Sequence, residues 1–556
     1  MMNRLTLPAL CALVWVAPAA AQWPTTVNEN LPVATDPTRS EAYPSILPFT
    51  NGSTLVAFLH SGPLENVYQI INLNGALVYS DAQPLVPGLN LSDPYFPRVV
   101  SDSTGGAVVA WYVSSFAPNS GYYAQRLDAS GNRVWGEMGV RFGNARLGSS
   151  TFDVCPDGLG GFFYATDGGA STLSQIQAYH VGAGGELLWG GLSGIPVATT
   201  SYHQGNPFIC PDGQGGIFIV WKDFRPPYSM TTAVFGQHLD AAGNRLWGNS
   251  GQVVHPAGPW MYQIIPDGQG GIILHCGAGG PNWAYRYSEA GTQLWVRDHV
   301  SWWDLARIIP GEPGFFYLGF TYGRKFYAQR MDMEGNFYWP SWGSGEVGQM
   351  MIYGGMDEPS IPCLAYRAPY LYGMAGFKPS GSAIPVYLRG QKMDAQGRRQ
   401  WGDQGTLLTR ITEGNGWPQS PDVVADAGGG LVGVYHLNLP GDSEIWAKRC
   451  RSDGSLGGPP SPYAPVRTYP ATMEVTARTV RFTLPQAGYV RLEVFDTAGR
   501  RVAGARHASP LPAGEAWYPA GTHEVTFDGS ALPSGIYFVR LTAGGMSQVQ
   551  KMVLLK

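Results

Sequence analysis

NPFICPDGQGGIFIVWKDFR (Asn206–Arg225) and, after a short loop, VFGQHLDAAGNRLWGNSGQVV (Val234–Val254) form one copy of a unit that recurs eight times. Its second half returns as QRLDASGNRVWG (Gln125–Gly136), QRMDMEGNFYW (Gln329–Trp339) and QKMDAQGRRQWG (Gln391–Gly402). The marker glycines Gly75, Gly131, Gly185, Gly243, Gly291, Gly335, Gly397 and Gly454 stand 44 to 62 residues apart. A repeat of that length indicates a stacked or circular array. Within the copy quoted, apolar runs at Pro207–Cys210, Gly216–Trp221, Val234–Leu239 and Arg245–Trp247 toward Val253 are separated by turn signals. Asp212-Gly213 and Ala242-Gly243-Asn244 suit tight turns, because glycine reaches positive φ without steric cost.

Seventy-five glycines, 44 prolines, 12% aromatic and only 14% charged residues fit many short strands. Four antiparallel strands per unit is the blade of a β-propeller. Seven units carry a fourth run after the marker glycine, as in LWGGLSGIPVATT (Leu188–Thr200), but the eighth, RSDGSLGGPP (Arg451–Pro460), does not. NENLPVATD (Asn28–Asp36) matches GIPVATT closely and is expected to supply the missing outer strand, which closes the ring and removes unpaired edges. The expected fold is all-β: an eight-bladed propeller over residues 22–459, a linker at 460–468 and a small immunoglobulin-like sandwich over 469–556. A linear solenoid is the alternative.

Arg4, the apolar stretch Leu5–Ala17 and the small residues Ala19-Ala20-Ala21 read as a signal peptide over residues 1–21, cleaved before Gln22. No later stretch suits a transmembrane helix. Cys11 lies in that apolar stretch and has no lipid-anchor context. Cys155, Cys210 and Cys450 stand where other units have Val, Ile or Leu, so they are expected as small buried hydrophobes. A net charge of −4 without a basic run argues against nucleic acid.

From Met473 the text changes to FTLPQAGYVRLEVFDTAGRRV (Phe482–Val502), HEVTFDGSALPSGIYFVRL (His523–Leu541) and KMVLLK (Lys551–Lys556). These pieces resemble the C-terminal sorting domain of type IX secretion substrates, itself similar to the immunoglobulin-like domain of flagellar hook-capping proteins. The matching positions include Gly499, Asp528, Gly529, Gly535, Tyr537 and Lys551. The stretch LPAGEAWYPAGTH (Leu511–His523) departs from the family's single turn. The resemblance implies recognition by outer-membrane secretion machinery and delivery to the medium or surface of a bacterium with an outer membrane. PDGQGG followed by a GN turn is similar to repeats of large bacterial surface proteins. LDAAGNRLW resembles the tryptophan-docking repeat of quinoprotein propellers, which implies that Trp135, Trp189, Trp247, Trp295, Trp339 and Trp401 pack on a neighbouring blade. The quinone site has no counterpart, since no adjacent cysteine pair exists.

Repeating residues read as scaffold. Gln69, Gln125, Gln237, Gln329 and Gln391 are expected to satisfy backbone groups between blades, and Asp128, Asp240, Asp332 and Asp394 to cap their own turns. Calcium at those turns is the minor alternative, although each turn offers a single carboxylate. Departures from the repeat point to a site. Trp221, Asp223, Phe224, Arg225 and Tyr228, then Trp260 and Tyr262, then Trp302, Trp303 and Asp304 place aromatics beside charge on one set of loops. Aromatic platforms of this kind suit sugars or peptide side chains; packing between blades is the competing reading. Unit seven adds Tyr353, Asp357, Glu358 and the insertion Lys378–Val386.

No HExxH, GxSxG, sialidase box, metal cluster or cofactor signature is present. The expected function is therefore a secreted or cell-surface recognition or adhesion protein, without catalytic residues, metal or cofactor, binding a glycan or a surface protein. The alternatives are an extracellular carbohydrate-active or peptide-cleaving enzyme on the same scaffold, and a purely structural surface component.

Overall fold

A computed structural model describes residues 23–457 and 472–554. Excepted within these spans are 37–38, 62–63, 88–96, 115–118, 147–150, 171–172, 228–231, 260, 278–281, 302–306, 340–347, 355–356, 361, 380–384, 413–418, 440–441, 476–478, 485–487, 498–500, 503–514, 519–520, 527–531 and 544–545. The signal-peptide and linker assignments lie outside the described residues. The fold is all-β and propeller-like. Gly191–Ser193 forms a short 3₁₀ turn, and no α-helix occurs among the described residues.

Eight antiparallel sheets succeed one another along residues 31–450. They are numbered here by their first strands: Glu41–Pro48, Arg98–Ser101, Phe152–Pro156, Gln204–Pro211, Met261–Pro266, Arg307–Pro310, Cys363–Arg367 and Gln419–Ala425. Sheet 4, the copy quoted first, runs Gln204–Pro211, Ile217–Asp223, Ala233–Leu239 and Gln252–His255. Its fourth strand starts later than the sequence pattern suggests. Arg245 makes only a single bridge to Leu239, because the chain must first swing out to place Trp247. In sheet 7 part of the insertion extends the sheet, with Asp357–Pro359 pairing on Phe377–Pro379.

Sheet 8 contains three consecutive strands and a fourth from the far end of the chain. Leu31–Ala34 pairs antiparallel with Asp442–Cys450, with Leu31 opposite Ala447. Each first strand touches the next, and Gln419–Ala425 returns to Glu41–Pro48, so the eight first strands form a cycle. An apolar cluster spans that return: Leu31, Val33, Val424, Val434 and Ile445 pack with Ile46, Val56, Phe58 and Ile71. Burial of this kind contributes about 1.5–3 kcal/mol per large side chain.

The marker glycines explain how neighbouring sheets dock. All eight have φ between 76° and 88°. At Gly454 a Cβ would also lie 2.8 Å from Cδ1 of Trp401, so the turn needs both the left-handed backbone and the missing side chain. The indole Nε1 groups of Trp135, Trp189, Trp247, Trp295, Trp339 and Trp401 donate to the carbonyls of Ala183, Ala241, Glu289, Met333, Ala395 and Ser452. Each acceptor lies two residues before the next unit's marker glycine. In sheet 1 Tyr79 takes the tryptophan's place, donating to Gly131. The docking residue of sheet 8 comes from the N-terminal segment: Trp23 donates to Leu73.

The repeated polar residues complete the scaffold. Gln237 Oε1 accepts the N–H groups of His238 and Trp247, while its Nε2 donates to Gly248 and Val197. The glutamines thus chiefly position the docking tryptophan within their own sheet, with a weaker reach to the preceding one. Asp240 caps its turn by accepting from Ala242 and Asn244, and the hydrogen bonds from Asn244 hold its carboxyl below the usual range. Cys155, Cys210, Cys276, Cys363 and Cys450 are buried and free.

Residues 472–554 form two further sheets, of three and five strands. Val480 and Phe482 of the first share a core with Val490, Val494, Tyr537, Val539, Leu541, Met552 and Leu554 of the second.

Candidate functional site

The loop end of sheet 4 rests on a carboxylate. Asp223, fully buried, accepts from Arg225 Nε at 2.8 Å and Nη2 at 2.6 Å, from Trp221 Nε1 at 2.9 Å and from Gln204 Nε2 at 3.1 Å. Burial alone would raise this carboxyl, but the bonds from Arg225 and Trp221 outweigh it and hold it below the usual range. The Arg225 guanidinium also lies over the Phe235 ring at 3.9 Å.

This arrangement corrects the reading of Trp221 and Tyr262 as open platforms. Trp221 is 0% exposed and Tyr262 is 2% exposed, because both faces of each sheet are covered by a neighbour. Tyr262 packs edge-on against Phe208 and donates to the Asn206 carbonyl. Asp223 and Arg225 are brought together, but on each other. Tyr228, Trp260, Trp302, Trp303 and Asp304 lie outside the described residues, as do Gly499, Asp528 and Gly529. Gly535 opens the strand Gly535–Ala543, Tyr537 donates its hydroxyl to the Pro533 carbonyl at 2.9 Å, and Lys551 is exposed opposite Phe538.

Two acid–base constellations occur elsewhere. Glu41 faces His60 Nε2 at 3.3 Å where sheets 1 and 8 meet, with Arg39 Nη1 3.2 Å from His60 Nδ1. Burial raises the Glu41 carboxyl above its ordinary value. In sheet 5 His275 Nε2 lies 3.0 Å from Ser301 Oγ, which also accepts from Asn282 Nδ2 at 2.9 Å. Burial pushes His275 down to about 4. Glu41, His275 and Ser301 are fully enclosed, so neither pair presents its reacting atoms to a polymer. A recess of about 580 Å³ at the turn end includes Asp267 and Arg286, which are engaged with each other at 2.8 Å. Among the described residues no three His, Cys, Asp or Glu side chains are grouped to hold a metal.

The set that loop-by-loop reading misses is a column through the first strands. One register position holds Ser45, Arg98, Asp153, Phe208, Gln263, Arg307, Cys363 and Asp422 in sheets 1 to 8. Several of these side chains bond to the backbone of the next first strand. Ser45 Oγ accepts from Val99 at 3.2 Å, Asp153 from Ile209 at 2.9 Å, Gln263 from Ile308 at 3.1 Å and Asp422 from Ile46 at 3.3 Å. Two residues on, toward the turn end, the positions are Leu47, Val100, Cys155, Cys210, Ile265, Ile309, Ala365 and Val424. A polar level thus sits above an apolar one. Aligned on the Pro-Asp-Gly turn, the polar column is visible in the sequence; its central placement is not.

No family model matches the chain, and no curated protein matches it. Among solved structures the chain is similar to an ulvan lyase of a polysaccharide lyase family, bound to a glucuronate–sulfated rhamnose ligand, at TM-score 0.39 and 10% identity over 79% of this chain and 98% of that one. It is similar to an α-L-arabinanase of Penicillium chrysogenum at TM-score 0.31 and 11% identity, covering 78% and 100%. It is also similar to prolyl oligopeptidase B of Galerina marginata at TM-score 0.40 and 12% identity, covering 72% and 54%. Likeness at this level bears on neither substrate nor mechanism.

Proposed function

We propose that the chain is an exported recognition protein of a bacterial surface. In this reading residues 22–459 form an eight-bladed β-propeller closed by the N-terminal strand. Residues 469–556 form an immunoglobulin-like sorting module read by outer-membrane secretion machinery. The cycle of first strands and the pairing of Leu31–Ala34 support the propeller. The two-sheet core and the hydroxyl of Tyr537 reaching four residues back to Pro533 support the sandwich.

The observation that carries recognition is the variable column. Tryptophans, glutamines and turn aspartates recur in most units because docking and turn formation use them, whereas the column differs in charge and size from sheet to sheet while sharing one level. Variation at a shared centre is what a ligand site on a repeating scaffold requires. The ligand is a glycan or a surface protein. Binding of residues 22–457 to a broad glycan array and to surface proteins tests this. No binding at millimolar concentration by a folded protein would overturn it. Turnover of a polysaccharide or peptide would instead favour the enzyme alternative.

Deletion of residues 469–556 is expected to leave the remaining protein in the periplasm. Unchanged surface delivery would overturn the sorting assignment.

A further inference from the structure

The five-stranded sheet within residues 472–554 buries one face and leaves the other open. It consists of Gly488–Asp496, Arg501–Val502, Glu515–Tyr518, Gly535–Ala543 and Met546–Leu554. Val494, Tyr537, Val539, Met552 and Leu554 belong to the core shared with the three-stranded sheet. Alternation along each strand therefore turns Phe495, Ile536, Phe538, Arg540, Lys551 and Val553 to the opposite face.

On that outer face Ile536 lies opposite Val553, and Arg540 opposite Val549. Between these pairs one row crosses four strands, from Arg501 through Phe495 and Phe538 to Lys551. Ile536, Phe538, Val549 and Val553 are between 36% and 58% exposed. The open face of an antiparallel sheet is ordinarily polar, so four large apolar side chains on adjoining rows mark a contact surface. Exposed apolar residues of the eight-sheet part are distributed differently: Val78, Val134, Leu188 and Leu246 each precede the docking aromatic of a separate sheet.

Charge selects the occupant of this face. Lys551 is exposed and makes no hydrogen bond or ion pair with a described residue, and Arg501 stands at the other end of its row. Arg540 Nε donates to Glu493 at 3.0 Å, which neutralises that carboxylate, and its guanidinium lies over the Phe495 ring at 4.7 Å. Residues 472–556 carry nine Lys and Arg against six Asp and Glu, whereas residues 22–471 carry 26 against 34. The apolar strip thus belongs to the cationic part of an acidic chain. Two copies pairing face to face would set like-charged rows against each other. An anionic lipid surface satisfies both features: apolar side chains enter the boundary between headgroups and acyl chains, and the cations beside them meet the headgroups.

We propose that the outer face of this sheet, centred on Phe538, docks on an anionic lipid surface. Ile536, Phe538 and Val553 enter the interface, and Lys551 meets the headgroups. The contact is separate from the sorting assignment and from recognition by the eight sheets, since it needs this face alone.

Residues 22–556 are sedimented with vesicles of phosphatidylcholine alone and of phosphatidylcholine with about one-third phosphatidylglycerol, in about 50 mM and about 300 mM salt. Binding to the anionic vesicles is expected, weakened by salt and about tenfold or more weaker for the neutral ones. Phe538→Ser should weaken it about tenfold and Lys551→Gln about fivefold. Leu188→Ser, which removes an exposed apolar side chain of sheet 3, should leave it unchanged. Unfolding midpoints confirm that the variants fold. Equal binding of both vesicle types, no binding to either, or anionic binding that survives the double substitution of Phe538 and Lys551 would each overturn the docking face. Sedimentation velocity without lipid is expected to show no dimer formed through this face. A dimer that Phe538→Ser abolishes would overturn the lipid assignment in favour of a second copy.

Discussion

Trp23 donates its indole N–H to the carbonyl of Leu73 at 3.2 Å, fifty residues along the chain, and so fills the docking position that sheet 8 lacks. Trp23 is buried and joins the apolar cluster shared by the first and last sheets. Trp23→Ala is expected to cost about 3–5 kcal/mol of stability in urea unfolding. A loss below about 1 kcal/mol would show that the ring closes without it.

Lys448 stands at the register where five other sheets carry glutamine. Instead of bonding its own turn, its ammonium donates to the carbonyls of Thr26 and Glu29, and Thr409 Oγ1 donates to Val27 nearby. Lys448→Gln should therefore loosen residues 23–34 selectively, read as faster amide exchange in that segment with the other sheets unchanged. Uniform exchange across the ring would contradict the clasp.

Arg286 bridges two sheets: its Nε donates to Asp267 at 2.8 Å and its Nη1 to the Met333 carbonyl at 2.7 Å. Arg286→Ala leaves Asp267 buried and unpaired, for an expected loss of about 3–5 kcal/mol. Sheet 4 places His238 at this register, against Asp212 at 2.9 Å and the Glu289 carbonyl at 3.2 Å. Arg286→His should accordingly recover part of the loss. An alanine variant as stable as wild type would remove the staple from the argument.

Gly454 and Gly248 separate two reasons for glycine. Both have positive φ, 88° and 79°, but a Cβ at Gly248 would meet nothing within 4 Å, whereas at Gly454 it would strike Trp401. Gly248→Ala should cost about 1–2 kcal/mol from the backbone alone. Gly454→Ala should cost clearly more in the same unfolding assay, and equal costs would refute the docking explanation.

Acid should weaken the fold through its buried histidines. Burial pushes His255, His275 and His436 down to about 4 from an ordinary 6.5. The folded values lie below the unfolded ones, so between those limits the unfolded chain takes up protons that the folded chain refuses. Their stabilising share is complete above about pH 6.5 and is lost as the pH falls toward about 4, by as much as about 3 kcal/mol per residue. The triple substitution to glutamine should flatten unfolding free energy across that window. A wild-type slope retained in the triple variant would count against these three residues.

Much of the architecture was legible because docking imposes it locally. Gly243 and Asp240 form their turn from neighbouring residues alone, and NENLPVATD announced the closing strand by matching GIPVATT. Trp23 escaped notice because it precedes Leu31 by eight residues, whereas Trp189 precedes Ile195 by six. Trp221 and Tyr262 misled for a different reason. Aromatics near a strand end suggest a platform when one face of a sheet meets solvent, but here both faces meet other sheets, and the same residues become core.

The amino-acid sequence by itself determined the strand count per unit, the turn geometry and the partner for the incomplete eighth unit. These depend on glycine, proline, aspartate and apolar alternation over a few residues at a time. Only the tertiary structure decided which departures from the repeat face a common space. Arg98 and Arg307 are 209 positions apart, and although each opens a similar strand, Arg98–Ser101 and Arg307–Pro310, neither strand carries its place in the cycle. The contacts of each first strand with the next set them four sheets apart in the cycle, because position in such a cycle is a property of the whole set of sheets and of no single one.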